Sequence, residues 1–147
     1  MSIANLLQPN QFQLYGYFNP PSVELAPLLG DCTFLGNATA IAPADYRVTA
    51  SQIGNIVNLD ISIPSTVATA TEAITFENND SIPPNLCPQD EPVVFQCYCQ
   101  NIDDDNNSKT AYVQITTAGT LSIQLLGAAT NAEHYIFKQV VSYSLSQ

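Results

Sequence analysis

Residues 52–64 read Gln-Ile-Gly-Asn-Ile-Val-Asn-Leu-Asp-Ile-Ser-Ile-Pro, and from Val57 onward apolar and polar positions alternate strictly. Side chains on a strand change face at every residue, so Val57, Leu59, Ile61 and Ile63 share a buried face, and Asn58, Asp60 and Ser62 share a wet one. Gly54-Asn55 predicts a bend or bulge where this strand begins, and Pro64, which has no N–H for a ladder, predicts its exit.

The same period recurs along the chain. Residues 1–11 predict an arm, with Ile3, Leu6 and Leu7 ended by Pro9-Asn10, and residues 12–17 a first short strand broken by Asn19-Pro20-Pro21. Residues 23–29 predict a turn of helix or a packed loop, and residues 33–41 a strand with a possible bulge at Gly36-Asn37. Pro43-Ala44-Asp45 turns the chain into residues 46–49, which lead to the central strand. Residues 67–76 predict one or two strands, and 82–88, with three prolines, an extended crossing. Residues 93–100 form a strand, 101–108 a polar loop, and 109–117 with 120–126 a hairpin through Ala118-Gly119. A small-residue loop over 127–133 precedes a last strand over 135–145. No helical period reaches ten residues. About eight strands at regular spacing predict an all-β fold, an antiparallel β-sandwich or jelly roll formed as one domain over 12–147.

Composition narrows the function. Charged residues are 11% of the chain, and the net charge of −10 sets 13 acids against Arg47, Lys109 and Lys138. No Lys/Arg cluster exists to hold phosphates, so nucleic acid is a poor partner and none is expected, and an anionic membrane surface is an equally poor one. The first residues lack the basic start of a signal peptide, and no apolar run approaches the roughly 20 residues that span a bilayer, which predicts synthesis in a cytosol without membrane insertion. Cys32, Cys87, Cys97 and Cys99 are then expected as free thiols. Cys-Tyr-Cys inside a strand suits buried thiols better than zinc. By the same logic the sequons at Asn37, Asn79 and Asn106 are expected to be silent.

Catalytic chemistry finds little purchase. His134 is the single histidine, beside Glu133 and without a Ser or Cys motif, which reads as a solvated loop histidine. Asp103, Asp105 and Asn107 match the first three ligand positions of an EF-hand loop, but Ser108 stands where glycine is required and Gln114 where the bidentate Glu belongs. A solvated hairpin loop or a weak calcium site are both compatible with this pattern. No phosphate loop or cofactor fingerprint occurs. The chain reads as a non-enzyme without cofactor, catalytic residue or metal.

Tyr46-Arg-Val-Thr followed by Ile53-Gly-Asn-Ile-Val-Asn-Leu-Asp-Ile-Ser-Ile-Pro64 resembles a strand of phage tail-fibre tips and related virion surface domains. Ile82-Pro-Pro-Asn-Leu-Cys-Pro88, the strand pair around Gly119 and the ending Val141-Ser-Tyr-Ser-Leu145 are similar to the features that follow it there. The opening Leu7-Gln-Pro-Asn-Gln-Phe-Gln-Leu-Tyr15 resembles virion proteins of large DNA viruses of amoebae, the marseillevirus group in particular. The resemblance implies a giant-virus structural protein, made in host cytoplasm and located in the virion. It would be a homotrimer, capsid-associated or host-attaching, with itself, other virion proteins or a host surface as partners.

One pattern agrees with such an assembly. The last strand is apolar on both faces, Ile136 and Val140 on one and Phe137, Val141 and Tyr143 on the other, so it needs covering twice. These five are the candidate trimer-interface residues, with a local loop as the other possible cover. Asp103, Asp104, Asp105, Asn106 and Asn107, with the 127–133 loop, are candidates for outward contacts. Two readings from other classes stand beside this one: a carbohydrate-binding module, and a small hydrolase using His134 and Asp103–Asp105.

Overall fold

In the computed structural model, residues 21–146 are described, so the arm over 1–11 and the strand over 12–17 lie outside the described residues. The alternating stretch behaves as its period dictates. Val57, Leu59, Ile61 and Ile63 are fully buried, along a strand β4 that covers Ile56–Val67. Gly54-Asn55 does more than bend the chain. It is the two-residue loop of a hairpin between β3 (Arg47–Ile53) and β4, with Ile53 paired to Ile56 and Gly54 at φ +58. That is the position where type II′ turns take glycine. Pro64 does not end the strand either. Pairing shifts between Ile63 and Thr66, and Pro64 sits in that bulge, where no ladder N–H is required.

The remaining strands are β1 (Val23–Glu24), β2 (Cys32–Phe34), β5 (Ala73–Phe76), β6 (Val93–Asn101), β7 (Lys109–Ile115), β8 (Leu121–Leu125) and β9 (His134–Ser144). All pairings are antiparallel, in the order β1-β3-β4-β9-β6-β7-β8-β5-β2, and this single sheet curls into a half-barrel. Among the described residues its edge strands are two and three residues long, which keeps the unpaired edge short. Two predicted strands are shorter than their patterns. Gly36, at φ +73, turns the chain after Phe34, so residues 33–41 close a loop on the Cys32–Ile41 bridge. Only Ala73–Phe76 of 67–76 pairs as a strand.

Residues 23–29 yield both an edge strand and one helical turn, α1 (Ala26–Leu29), with Pro27 in the first turn where its missing N–H costs nothing. Leu25 before it and its own Ala26 and Leu29 are buried, and the Tyr46 hydroxyl donates to the Gly30 carbonyl at 2.6 Å with the Ala26 carbonyl 3.2 Å away. Between β7 and β8, Gly119 adopts φ +97 and its carbonyl accepts from Ser81 and Ile82 N–H. A Cβ there would stand 2.6 Å from the Ile82 carbonyl oxygen, so the 82–88 crossing docks on a position only glycine can fill.

Candidate functional site

Two surfaces stand out, a loop platform and a corner of the sheet. The platform forms where β6 hands over to β7. Gln100 and Asn101 pair with Ile136 and Tyr135 of β9, which brings the 101–108 loop beside the 127–133 loop. Among the described residues, Asn101 is the buried polar residue of the core. Its Oδ1 accepts from the N–H groups of Asp103 (2.9 Å) and Asp104 (3.0 Å), and its Nδ2 donates to Glu133 Oε1 at 2.7 Å. The Tyr135 hydroxyl, also buried, donates to the Asn107 carbonyl and accepts from Thr130 N–H, both at 2.9 Å. Two core side chains thus tie both predicted outward loops into one surface.

The acids of that surface are spent locally. Asp104 accepts from Asn106 N–H and Asn107 Nδ2, capping a single 3₁₀ turn over Asp105–Asn107. Asp105 accepts from Gln100 Nε2 at 3.4 Å. Asp103 Oδ2 accepts from His134 N–H at 2.7 Å and lies 2.9 Å from His134 Nδ1. The His134 side-chain bond, then its backbone bond, hold the Asp103 carboxyl below its ordinary 3.8. Among the described residues, no group of three or more His, Cys, Asp and Glu side chains is placed to hold a metal ion. His134 is therefore an anchored residue, half-exposed but bonded to Asp103, and its one side-chain partner among the described residues is a carboxylate.

A folded pKa below the unfolded one stabilises the fold above the unfolded value, and that contribution fades as pH falls through the folded value. NMR titration of Asp103 is expected to give a midpoint below 3.8, and His134→Ala to move it back up. A midpoint unmoved by that substitution would show that the ring does not hold the carboxylate.

The corner is built by β9 and β6. Residues of odd number on β9 face the core: Tyr135 and Phe137 are fully buried, and Val141 and Tyr143 are 5% exposed. Phe137, Val141 and Tyr143, read from the sequence as interface candidates, thus belong to the chain's own core. Their partners across β4 decide this, since Phe137 pairs with Ile63, Val141 with Leu59 and Tyr143 with Val57. The even residues face outward, with Ile136 half-buried and Val140 66% exposed.

Among the described residues, β6–β9 pairing stops at Gln100–Ile136. Gln139 marks the fork, its Nε2 donating to the carbonyls of Lys138 (2.6 Å) and Tyr98 (3.3 Å) where ladder bonds end. Beyond it the strands part, and Val93, Phe95, Cys97 and Leu145 pack against the core while staying half-exposed. On the outer face of β6, Val94 is 58% and Tyr98 51% exposed. The β6 residues escaped the sequence reading because their exposure depends on where a distant strand stops pairing.

All four cysteines are free. Burial pushes the thiols of Cys32 and Cys99 up to about 12 and raises Cys87 and Cys97, so the neutral, poorly nucleophilic form prevails at neutral pH. Cys97 and Cys99 share the inward face of β6 with Val93 and Phe95. Among the described residues no helix is long and apolar enough to cross a membrane. No protein-family model matches this chain, and no curated protein matches it.

Proposed function

We propose that the chain is a non-enzymatic structural protein that assembles with copies of itself, a virion coat or attachment component built on a sandwich of the jelly-roll kind. One observation carries this reading: the parted β6/β9 corner, where exposed Val94, Tyr98 and Val140 flank half-buried Val93, Phe95 and Leu145. Exposed apolar side chains beside strand edges with no ladder partner among the described residues mark an association site. The two edges belong to different strands, so one copy's β6 edge meeting the next copy's β9 edge makes a head-to-tail contact, which forms a ring where the rotation closes. In the trimer that the sequence resemblance implies, three copies around a threefold axis satisfy both edges of each. Ile136 and Val140 keep their interface role in this arrangement. The platform loops, held by Asn101 and Tyr135, project from the scaffold as the outward contact surface.

Glutamates at Val94 and Val140, side chains 58% and 66% exposed, place charges on the corner and leave the buried core side chains in place. The double variant is expected to run in light scattering as a single chain of 15.9 kDa, with an unchanged circular dichroism spectrum, where the native chain is heavier. A variant that keeps the native assembly mass would place the interface elsewhere.

A further inference from the structure

Three cations serve the whole chain, and two of them share one row of the sheet. Arg47 on β3 pairs in register with Ser62 on β4, and Ser62 pairs with Lys138 on β9. All three side chains occupy outward positions, and adjacent strands are about 5 Å apart, so the Cα atoms of Arg47 and Lys138 stand roughly 10 Å apart with Ser62 between them, a span that two long, flexible side chains can close around one carboxylate. Two hollows open over this row. One of about 210 Å³ is lined by Arg47, Asp60, Ser62, Lys138, Gln139 and Val140. The other, of about 360 Å³, shares Arg47, Ser62 and Lys138 and adds Asp45, Tyr46 and Pro64.

The charges here are only partly used. Arg47 touches Asp60 through one nitrogen at 3.5 Å, and no ion pair among the described residues involves Lys138. A guanidinium offers five N–H groups in a planar fork and an ammonium three, so the row retains most of its donors for an incoming anion.

We infer that the Arg47–Ser62–Lys138 row binds the carboxylate of an acidic sugar. The carboxylate bridges the two cations over the Ser62 hydroxyl. Asp45 and Asp60 flank the row and supply acceptors for sugar hydroxyls, and Val140 and Pro64 offer small apolar surface to ring C–H groups. The same two acids, within a chain of net charge −10, repel dense polyanions and acidic peptides, so one negative charge on an otherwise neutral polyol is the ligand that fits. The inference reaches beyond the assembly reading. It shares with the corner the rim residues Gln139 and Val140, neither of which is substituted in its test, and recording the solution mass of every variant lets the two fail separately.

The test titrates the full chain with methyl glucuronide and with methyl glucoside, which differ only in carboxylate against hydroxymethyl, with sodium acetate as the third probe. Calorimetry gives affinity, and amide NMR shifts locate the contact in the native chain without any substitution. The expected result is saturable uronide binding that shifts Arg47, Ser62 and Lys138, with glucoside and acetate each at least about tenfold weaker. Arg47→Gln and Lys138→Gln each weaken uronide binding by about tenfold or more at unchanged mass. Binding also falls between about 0.01 M and about 1 M salt, as the screening length drops from about 30 Å to about 3 Å. Absence of uronide binding, equal binding of the glucoside, or acetate binding as tight as the uronide would each overturn the inference.

Discussion

Replacing Phe137 by alanine is expected to lower the unfolding free energy by about 3–5 kcal/mol, while Val140→Ala, three residues along the same strand, shifts it by no more than about 0.5 kcal/mol for the single chain. Phe137 is fully buried opposite Ile63, in the layer that also holds Leu59, Ile61 and Tyr135, and its removal opens a cavity among side chains fixed by the sheet. Val140 is 66% exposed and pairs with Asp60, so truncating it removes little that the single chain uses. Chemical denaturation of both variants, at a concentration where the native chain is dissociated, separates the two. Similar losses would mean that the outer face of β9 is covered within one chain. That result would remove the surface on which the assembly reading depends.

The platform responds to Asn101. Asn101→Ala deletes the acceptor of two loop N–H groups and the donor to Glu133, and about 2 kcal/mol of stability is expected to go with it. Hydrogen exchange should quicken first at the Asp103 and Asp104 amides, ahead of the core strands. Asn101→Asp keeps the acceptor but sets a buried carboxyl against Glu133, whose Oε1 now lies 2.7 Å from the Asn101 amide. Burial and like charge raise the pKa of such a group in the folded state. That variant is therefore less stable at neutral pH and regains stability as the carboxyl is protonated on acidification. Loop amides that exchange at native rates in Asn101→Ala would show that the platform is held by other contacts.

What the sequence disclosed follows the range of the interactions concerned. Val57 to Ile63 declare their faces by period alone, because alternation is a local property of a strand. β9 is different, since Ile136 and Val140 are as apolar as Phe137 and Val141. The choice of inner face came from register with Leu59 and Ile63 on β4, some 80 residues upstream. Gly54-Asn55 suggested a local distortion. It is a hairpin loop because Ser51 and Gln52 extend β3 up to it, and their polar side chains hide that strand from a hydrophobic pattern. The acidic loop announced itself through Asp103–Asn107, but its organiser, Asn101, looks in the sequence like the first loop residue rather than a buried strand end. Arg47, Ser62 and Lys138 are scattered along the chain, and only the β3-β4-β9 register aligns them.

The corner between β6 and β9 bears the functional reading, and its most direct test is the solution mass of the native chain across a range of concentrations. The account predicts a species near three times 15.9 kDa that dissociates on dilution or on charging Val94 and Val140. A mass of 15.9 kDa at every concentration would contradict it and leave the parted strands without a symmetric partner.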